Sequence, residues 1–197
     1  MNLWLDLLRH GETVAGGGFR GRLDDELTAR GWQQLRQSVS NGGPWQRIVS
    51  SPLVRCARFA RELAERQKLE LEIEPGFREL DFGDWEGRTA AELMVDQSVE
   101  LGRFWNDPYG FTPPGGEPLA AFEARVLTAL ERLTDRCAGE RVLLVTHGGV
   151  MRLLLAEARG LPRERLLQVE VRHGDLFGLK VGFRDATLWM EEACSRS

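Results

Sequence analysis

Cysteine is scarce. Three residues in 197, Cys56, Cys137 and Cys194, are odd in number and share no C-x-x-C spacing, which argues against a disulfide framework and a cysteine zinc site. They read as ordinary thiols of a reducing compartment. Long apolar runs are missing too, since none approaches the ~18 uninterrupted residues of a membrane helix. The opening MNLWLDLLRHGE has no basic flank and no small-residue cleavage site after it, so no signal peptide is expected. These absences predict a soluble, cytoplasmic chain with no membrane partner. An excess of positive charge is lacking as well: 26 Lys+Arg stand against 30 Asp+Glu, a net charge of −4. Without a basic cluster, nucleic acid is not expected as a partner. Histidines number three and show neither H-x-x-x-H nor H-x-x-E spacing, so no metal and no other cofactor is expected. Any affinity for anions must come from local charge.

What is present describes one domain spanning 1–197, long enough to bury about 70% of its unfolded surface. Residues 2–8 (NLWLDLL) are almost continuously apolar, as in a strand covered on both faces. A glycine-rich polar stretch, 11–27, follows and is too long for a plain turn. The pattern predicts a helix from Thr28 to an Asn41-Gly42-Gly43 stop and a strand at 47–49. A second helix is predicted with Ser51 as N-cap and Pro52 in its first position, burying Leu53, Cys56, Ala57, Ala60, Leu63 and Ala64. Residues 69–73 alternate like a strand, and Thr89 with Glu92 forms a capping box. Four prolines and three glycines mark 107–118 as a loop. Leu119, Phe122, Val126, Leu130, Leu133 and Cys137 line one face of a long helix. RVLLV (141–145) is a second buried strand, and Gly148-Gly149 opens a helix to about Arg159. Alternating segments at 167–172, 176–181 and 187–190 close the chain. Strands alternating with helices predict a three-layer α/β/α sandwich, its sheet mostly parallel with an antiparallel edge. An exposed edge strand would permit a homodimer.

His10 and His147 share a setting: each follows a strongly apolar strand and precedes glycine. The carboxyl ends of parallel strands form the ligand crevice of such a sheet, so the two can meet there. A helix starting at Gly148 aims free N–H groups at an anion. One such histidine would more often just end a strand; two in matching contexts, with Arg9 beside one of them, point to a site.

Arg9-His10-Gly11-Glu12-Thr13 resembles the signature of the histidine phosphatase superfamily. Further blocks follow in that family's order over residues 3–155. They are residues 19–31 (FRGRLDDELTARG), 51–57 (SPLVRCA), 78–87 (RELDFGDWEG), 114–117 (PGGE) and 145–150 (VTHGGV). The resemblance implies a phosphoglycerate mutase-like fold and a reaction through a phosphohistidine. His10 would be the nucleophile, a neutral imidazole that needs no deprotonation before attack. Arg9 and Arg55 would hold phosphoryl oxygens through guanidinium forks. His147 would add a third donor and favour its cationic form beside a dianion, with the Gly148 amide and Arg22 among the substrate contacts. Glu79 would protonate the leaving alkoxide and then take a proton from water. The substrate would be a small-molecule phosphomonoester, bound without a metal.

Each role has a rival. Arg55 shares its helix with Arg58 and Arg61, where an arginine usually faces solvent. Glu86 competes with Glu79 in one loop, and motif position favours Glu79; Asp81 and Asp84 read as loop hydrogen-bonders. Arg172-His173-Gly174 repeats the R-H-G string without its Glu-Thr sequel, so His173 is expected in a turn after a short strand. The six tryptophans show no base-stacking grouping and read as core or rim. Arg20, Arg22, Glu86 and Phe111 are candidate rim residues.

The chain also departs from the family. Ala15-Gly16 stands where many members, mutases especially, carry Trp-Asn, so amides of the 14–18 loop would replace the asparagine. Cys56 and Phe59 stand where alanine and threonine are common. Only 25 residues separate Gly87 from Pro113, which leaves little room for a mutase lid that shields the intermediate from water. Hydrolysis is therefore preferred. Among small phosphatases the 14–25 and 81–87 runs most resemble the α-ribazole-5′-phosphate phosphatases of cobalamin nucleotide-loop assembly. A phosphoglycerate mutase and a broad-specificity phosphatase stay open as alternatives, with a non-catalytic phosphate-binding module less favoured because all five site residues are intact.

Overall fold

Side chains alternate across a pleated strand, and here both faces of the sheet are covered. The structure is a computed structural model that describes residues 1–40 and 42–193. Six strands, β1 (Leu3–Arg9), β2 (Arg47–Ser50), β3 (Glu70–Ile73), β4 (Arg141–Thr146), β5 (Leu176–Arg184) and β6 (Thr187–Glu192), lie in the order β3-β2-β4-β1-β5-β6. The first four strands of that order are mutually parallel, and β5 and β6 complete an antiparallel edge. Leu3, Leu5, Leu7, Val142 and Leu144 face the layer holding α5 (Leu119–Arg136) and α6 (Gly148–Ala158). Leu8, Leu143 and Val145 face the opposite layer, built from α1 (Ala29–Ser40) and α2 (Val54–Gln67). The expected α/β/α sandwich is the observed one. Among the described residues no helix is long and apolar enough to cross a membrane.

Three local expectations change. Helix α2 begins at Val54, not Pro52. The Ser51 hydroxyl is taken by His147 at 2.7 Å, and Asp24 caps the helix instead by accepting from the Val54 amide at 2.6 Å. Leu53 is then only half-buried and Phe59 takes its place in the core. Residues 167–172 are not a strand: a 3₁₀ turn occupies Arg163–Gln168 and irregular chain follows. Their alternation is real, with Leu166, Val169 and Val171 buried. The carbonyls, however, serve arginines rather than a ladder: Val171 accepts from Arg9 and Val169 from Arg152. Finally, the 87–113 segment holds two short helices, α3 (Ala90–Asp96) and α4 (Ser98–Asn106). The first carries the expected Thr89–Glu92 capping box; the second was not foreseen. Asn41 of the helix stop and Cys194 lie outside the described residues. Cys56 and Cys137 are free, buried thiols, and burial pushes both further from ionising.

Candidate active site

Strands β1 and β4 pair in parallel with Arg9 opposite Thr146, so the residue after each strand must emerge at the same rim. The His10 amide donates to the Thr146 carbonyl at 2.9 Å. The His10 and His147 rings stand 5.4 Å apart, centroid to centroid. Residues distant in sequence are thus brought together by register alone.

Hydrogen bonding assigns the proton on each ring. His10 Nδ1 lies 2.8 Å from the Gly11 carbonyl, which can only accept, so Nδ1 carries the hydrogen and Nε2 the lone pair. Around His147, Arg55 Nε donates to Nδ1 at 3.3 Å, leaving Nε2–H to donate to Ser51 Oγ. Both rings are held neutral, their pKa values well below the ordinary 6.5: burial is the main cause, and the Arg55 and Arg9 charges add to it.

Arg55 comes from the first turn of α2 and is fully buried. Its outer nitrogens donate to the carbonyls of Leu23, Gly21 and Arg20. Arg9 donates through Nη1 to Val171, while its buried Nε has no partner among the described residues. A buried guanidinium N–H without an acceptor is costly, and this one lies against the Gly148 backbone.

Glu79 is delivered by the loop after β3. Its Oε2 accepts from the Gly149 amide at 2.9 Å and its Oε1 from the Leu80 amide at 3.0 Å, so it sits at the positive end of α6. A Cβ on Gly149 would overlap the carboxylate, so a larger residue there would push Glu79 off this position. Arg125 of α5 fixes the loop from behind, donating to the carbonyls of Gly76, Arg78 and Glu79 and pairing with Glu117 through two nitrogens. The rival Glu86 is engaged elsewhere, accepting from the amides of Gly21, Arg22, Leu23 and Phe82. Glu86 and Arg55 therefore grip the 20–23 main chain, one by its amides and the other by its carbonyls.

Arg9, His10 and Glu79 line a cavity of about 440 Å³, together with Gly16–Gly18, Arg20, Arg152 and His173. Its outer wall is apolar, with Phe82, Phe104, Trp105, Leu119 and Leu166. Arg55, His147 and Gly148 lie behind this wall rather than on it. Arg22 stands over a second hollow, with Arg78 and Asp81. Arg20 is on the cavity, paired with Asp25 and donating to carbonyls of the glycine loop. Phe111 stacks on Trp85 away from it. Sequence reasoning passed over Ser51, Arg125 and Arg152. Ser51 had a signal, since it follows β2 as the histidines follow β1 and β4; the two arginines sit on helix faces with nothing local to mark them. Among the described residues no cluster of three or more His, Cys, Asp or Glu side chains is arranged to hold a metal ion.

The family description "histidine phosphatase superfamily (branch 1)" fits residues 5–188. The chain belongs to that superfamily. As a histidine phosphatase it is a phosphomonoester hydrolase, similar over 95% of its length, at 33% identity, to the adenosylcobalamin/α-ribazole phosphatase of Escherichia coli, of which 94% is covered. Its structure is like that of the α-ribazole phosphatase from Shigella flexneri: TM-score 0.80, 30% identity, 99% of this chain and 96% of the other covered. A mycobacterial glucosyl-3-phosphoglycerate phosphatase superposes with TM-score 0.83 at 26% identity, covering 98% and 97% of the two chains.

Proposed function

We propose that this histidine phosphatase hydrolyses α-ribazole 5′-phosphate through a phosphoryl group carried on His10. The observation that supports the reaction is the meeting, at one cavity, of His10 with an unshared pair on Nε2, the Arg9 guanidinium and the carboxyl group of Glu79. His10 Nε2 attacks phosphorus and forms an N–P bond as the P–O bond to the alcohol breaks; Glu79, which takes up a proton from the monoanionic ester as it binds, passes that proton to the departing oxygen. Glu79 then takes a proton from water, whose oxygen attacks phosphorus and frees His10. The Nδ1–H···O=C bond to Gly11 steadies the positive charge His10 gains on phosphorylation. Arg9, on the cavity, neutralises the phosphoryl oxygens, and the charge of the buried Arg55 adds to the positive field behind it. His147, with Nε2 on Ser51 and Nδ1 accepting from Arg55, holds that arginine in place.

The substrate reading draws on the relatives named above and on the cavity itself. α-Ribazole 5′-phosphate joins a sugar phosphate to a flat apolar ring system, and the outer wall offers Phe104, Trp105 and Phe82 to such a ring. Arg152, whose Nε is held by Val169 while its outer nitrogens have no partner among the described residues, favours a second reading: an ester bearing a carboxylate, such as a glycosyl phosphoglycerate. The chain is assigned to the cytoplasm, and β6, outermost in the sheet, is the edge through which two copies would form a homodimer.

Phosphate release from α-ribazole 5′-phosphate, ribose 5-phosphate, 3-phosphoglycerate and a glucosyl phosphoglycerate, measured side by side, tests the substrate. The expected order puts α-ribazole 5′-phosphate first; a preference for either glycerate ester selects the second reading. Isomerisation of 3-phosphoglycerate, primed with 2,3-bisphosphoglycerate and faster than hydrolysis, would instead make the chain a mutase.

A further inference from the structure

The turn Arg172–Asp175 is held from three sides. Asp175 accepts from the Arg172 amide at 2.6 Å and its own amide returns to the Arg172 carbonyl. The Arg9 amide donates to the Asp175 carbonyl at 3.0 Å, and Ser38 of α1 donates to the Gly174 carbonyl. Gly174 has φ +80°, a conformation that few other residues adopt cheaply. His173 therefore projects from a fixed point. Its ring centroid is 5.4 Å from that of His10, and it lines the same cavity. Neither ring nitrogen is hydrogen-bonded to any described residue. Burial, reinforced by the Arg9 charge, lowers its pKa to about 4, so it is uncharged at neutral pH.

We propose that His173 contacts the substrate and recognises a sugar hydroxyl on the alcohol half of the ester, such as the 3′-hydroxyl of a ribosyl phosphate. This rests on the phosphatase reading above and adds the residue that reads the sugar. A neutral imidazole offers one donor and one acceptor. A hydroxyl needs both. The arginines of the wall only donate and suit anions, and the apolar wall offers a hydroxyl nothing. His173 thus complements a ribosyl or other polyol phosphate beside the reacting phosphorus. A site built to hydrogen-bond a substrate hydroxyl discriminates against esters that lack it, because its own polar group is then left unpaired.

The test is a ratio: kcat/KM for ribose 5-phosphate divided by kcat/KM for p-nitrophenyl phosphate, which has no hydroxyl. His173→Ala is expected to lower the ratio about tenfold or more, with the loss mainly in KM. His173→Gln, which keeps a donor and an acceptor, should restore most of it. A ratio unchanged in His173→Ala, whether both rates hold or both fall together, overturns the inference. So does a wild-type chain that cleaves p-nitrophenyl phosphate but no sugar phosphate. Melting curves identify a variant that has not folded, and His173→Phe, which keeps a ring but has no donor or acceptor, then serves in its place. A wild-type chain inactive on every ester fails differently, since it removes the phosphatase reading itself.

Discussion

His10 and His147 follow neighbouring strands, precede glycine and lose their charge for the same reasons, yet they end in opposite situations. His147 is wholly buried, with one nitrogen tied to Ser51 and the other to Arg55. His10 spends only Nδ1, on the carbonyl that follows it, and keeps Nε2 for the cavity. Sheet order explains the difference. β4 lies between β2 and β1, so His147 meets the β2–α2 junction, where Ser51 and Arg55 wait. β1 has β5 on its other side, and the turn entering β5, held to Arg9 through the Asp175 carbonyl, sets the His173 ring beside His10 but gives Nε2 no partner among the described residues. Matching sequence contexts thus give one ring with a nitrogen left for the cavity and one ring with both nitrogens engaged, and the neighbouring strand decides which.

The sharpest test of that division is His10→Ala, expected to lower phosphate release from p-nitrophenyl phosphate about 10⁴-fold or more and to abolish the acid-labile phosphoryl adduct in a rapid quench. Turnover that survives would move the nucleophile elsewhere. Glu79→Gln should cost roughly 10²–10⁴-fold, less for esters with good leaving groups such as p-nitrophenol, because the acid is then less needed. His147→Ala should cost about 10²-fold by letting Arg55 move out of place, while the adduct still forms on His10. If the adduct disappears in that variant, the two histidines are not divided as described. Ser51→Ala is a smaller perturbation: it strips His147 Nε2–H of its acceptor, and about 1–3 kcal/mol of stability should go with it.

The pH dependence of stability treats both rings alike. Each has a folded-state pKa depressed below the unfolded 6.5, so between the two values the unfolded chain binds protons that the native chain refuses. Their stabilisation is complete above pH 6.5 and declines as pH falls below it, with unfolding taking up about two protons from this pair. Chemical denaturation at pH 7.5 and pH 5.5 checks the sign: equal or greater stability at the lower pH would mean that the rings are not held neutral.

How much of this was legible follows from where the information lies. The strand-end histidines, the Thr89–Glu92 cap and the α5 face were readable because each is set by local periodicity or by a neighbour a few residues away. The start of α2 was misplaced because Ser51 satisfies local capping rules, but a histidine 96 residues later claims its hydroxyl. The 167–172 segment alternates like a strand because burial alternates, and only the two arginines that take its carbonyls show that no ladder forms. Helix α4 has a glycine at position 102 and no Ser/Thr/Asp/Asn hydrogen-bonding cap at its start, so its ends carry no strong signal. Arg125, which holds the Glu79 loop through three carbonyls, looks like any exposed helix arginine until its partners, more than 40 residues away, are known.

The grip of Glu86 and Arg55 on residues 20–23 is made entirely through main-chain atoms. Gly21 has no freedom, since a Cβ there would collide with the Leu80 carbonyl. The side chain of Arg22 adds only a half-exposed 3.7 Å ion pair with Asp81. Such a stretch can exchange its surface chemistry through evolution or by design while the phosphate-handling groups beneath keep their places, so new preferences could be tried there without dismantling the reaction.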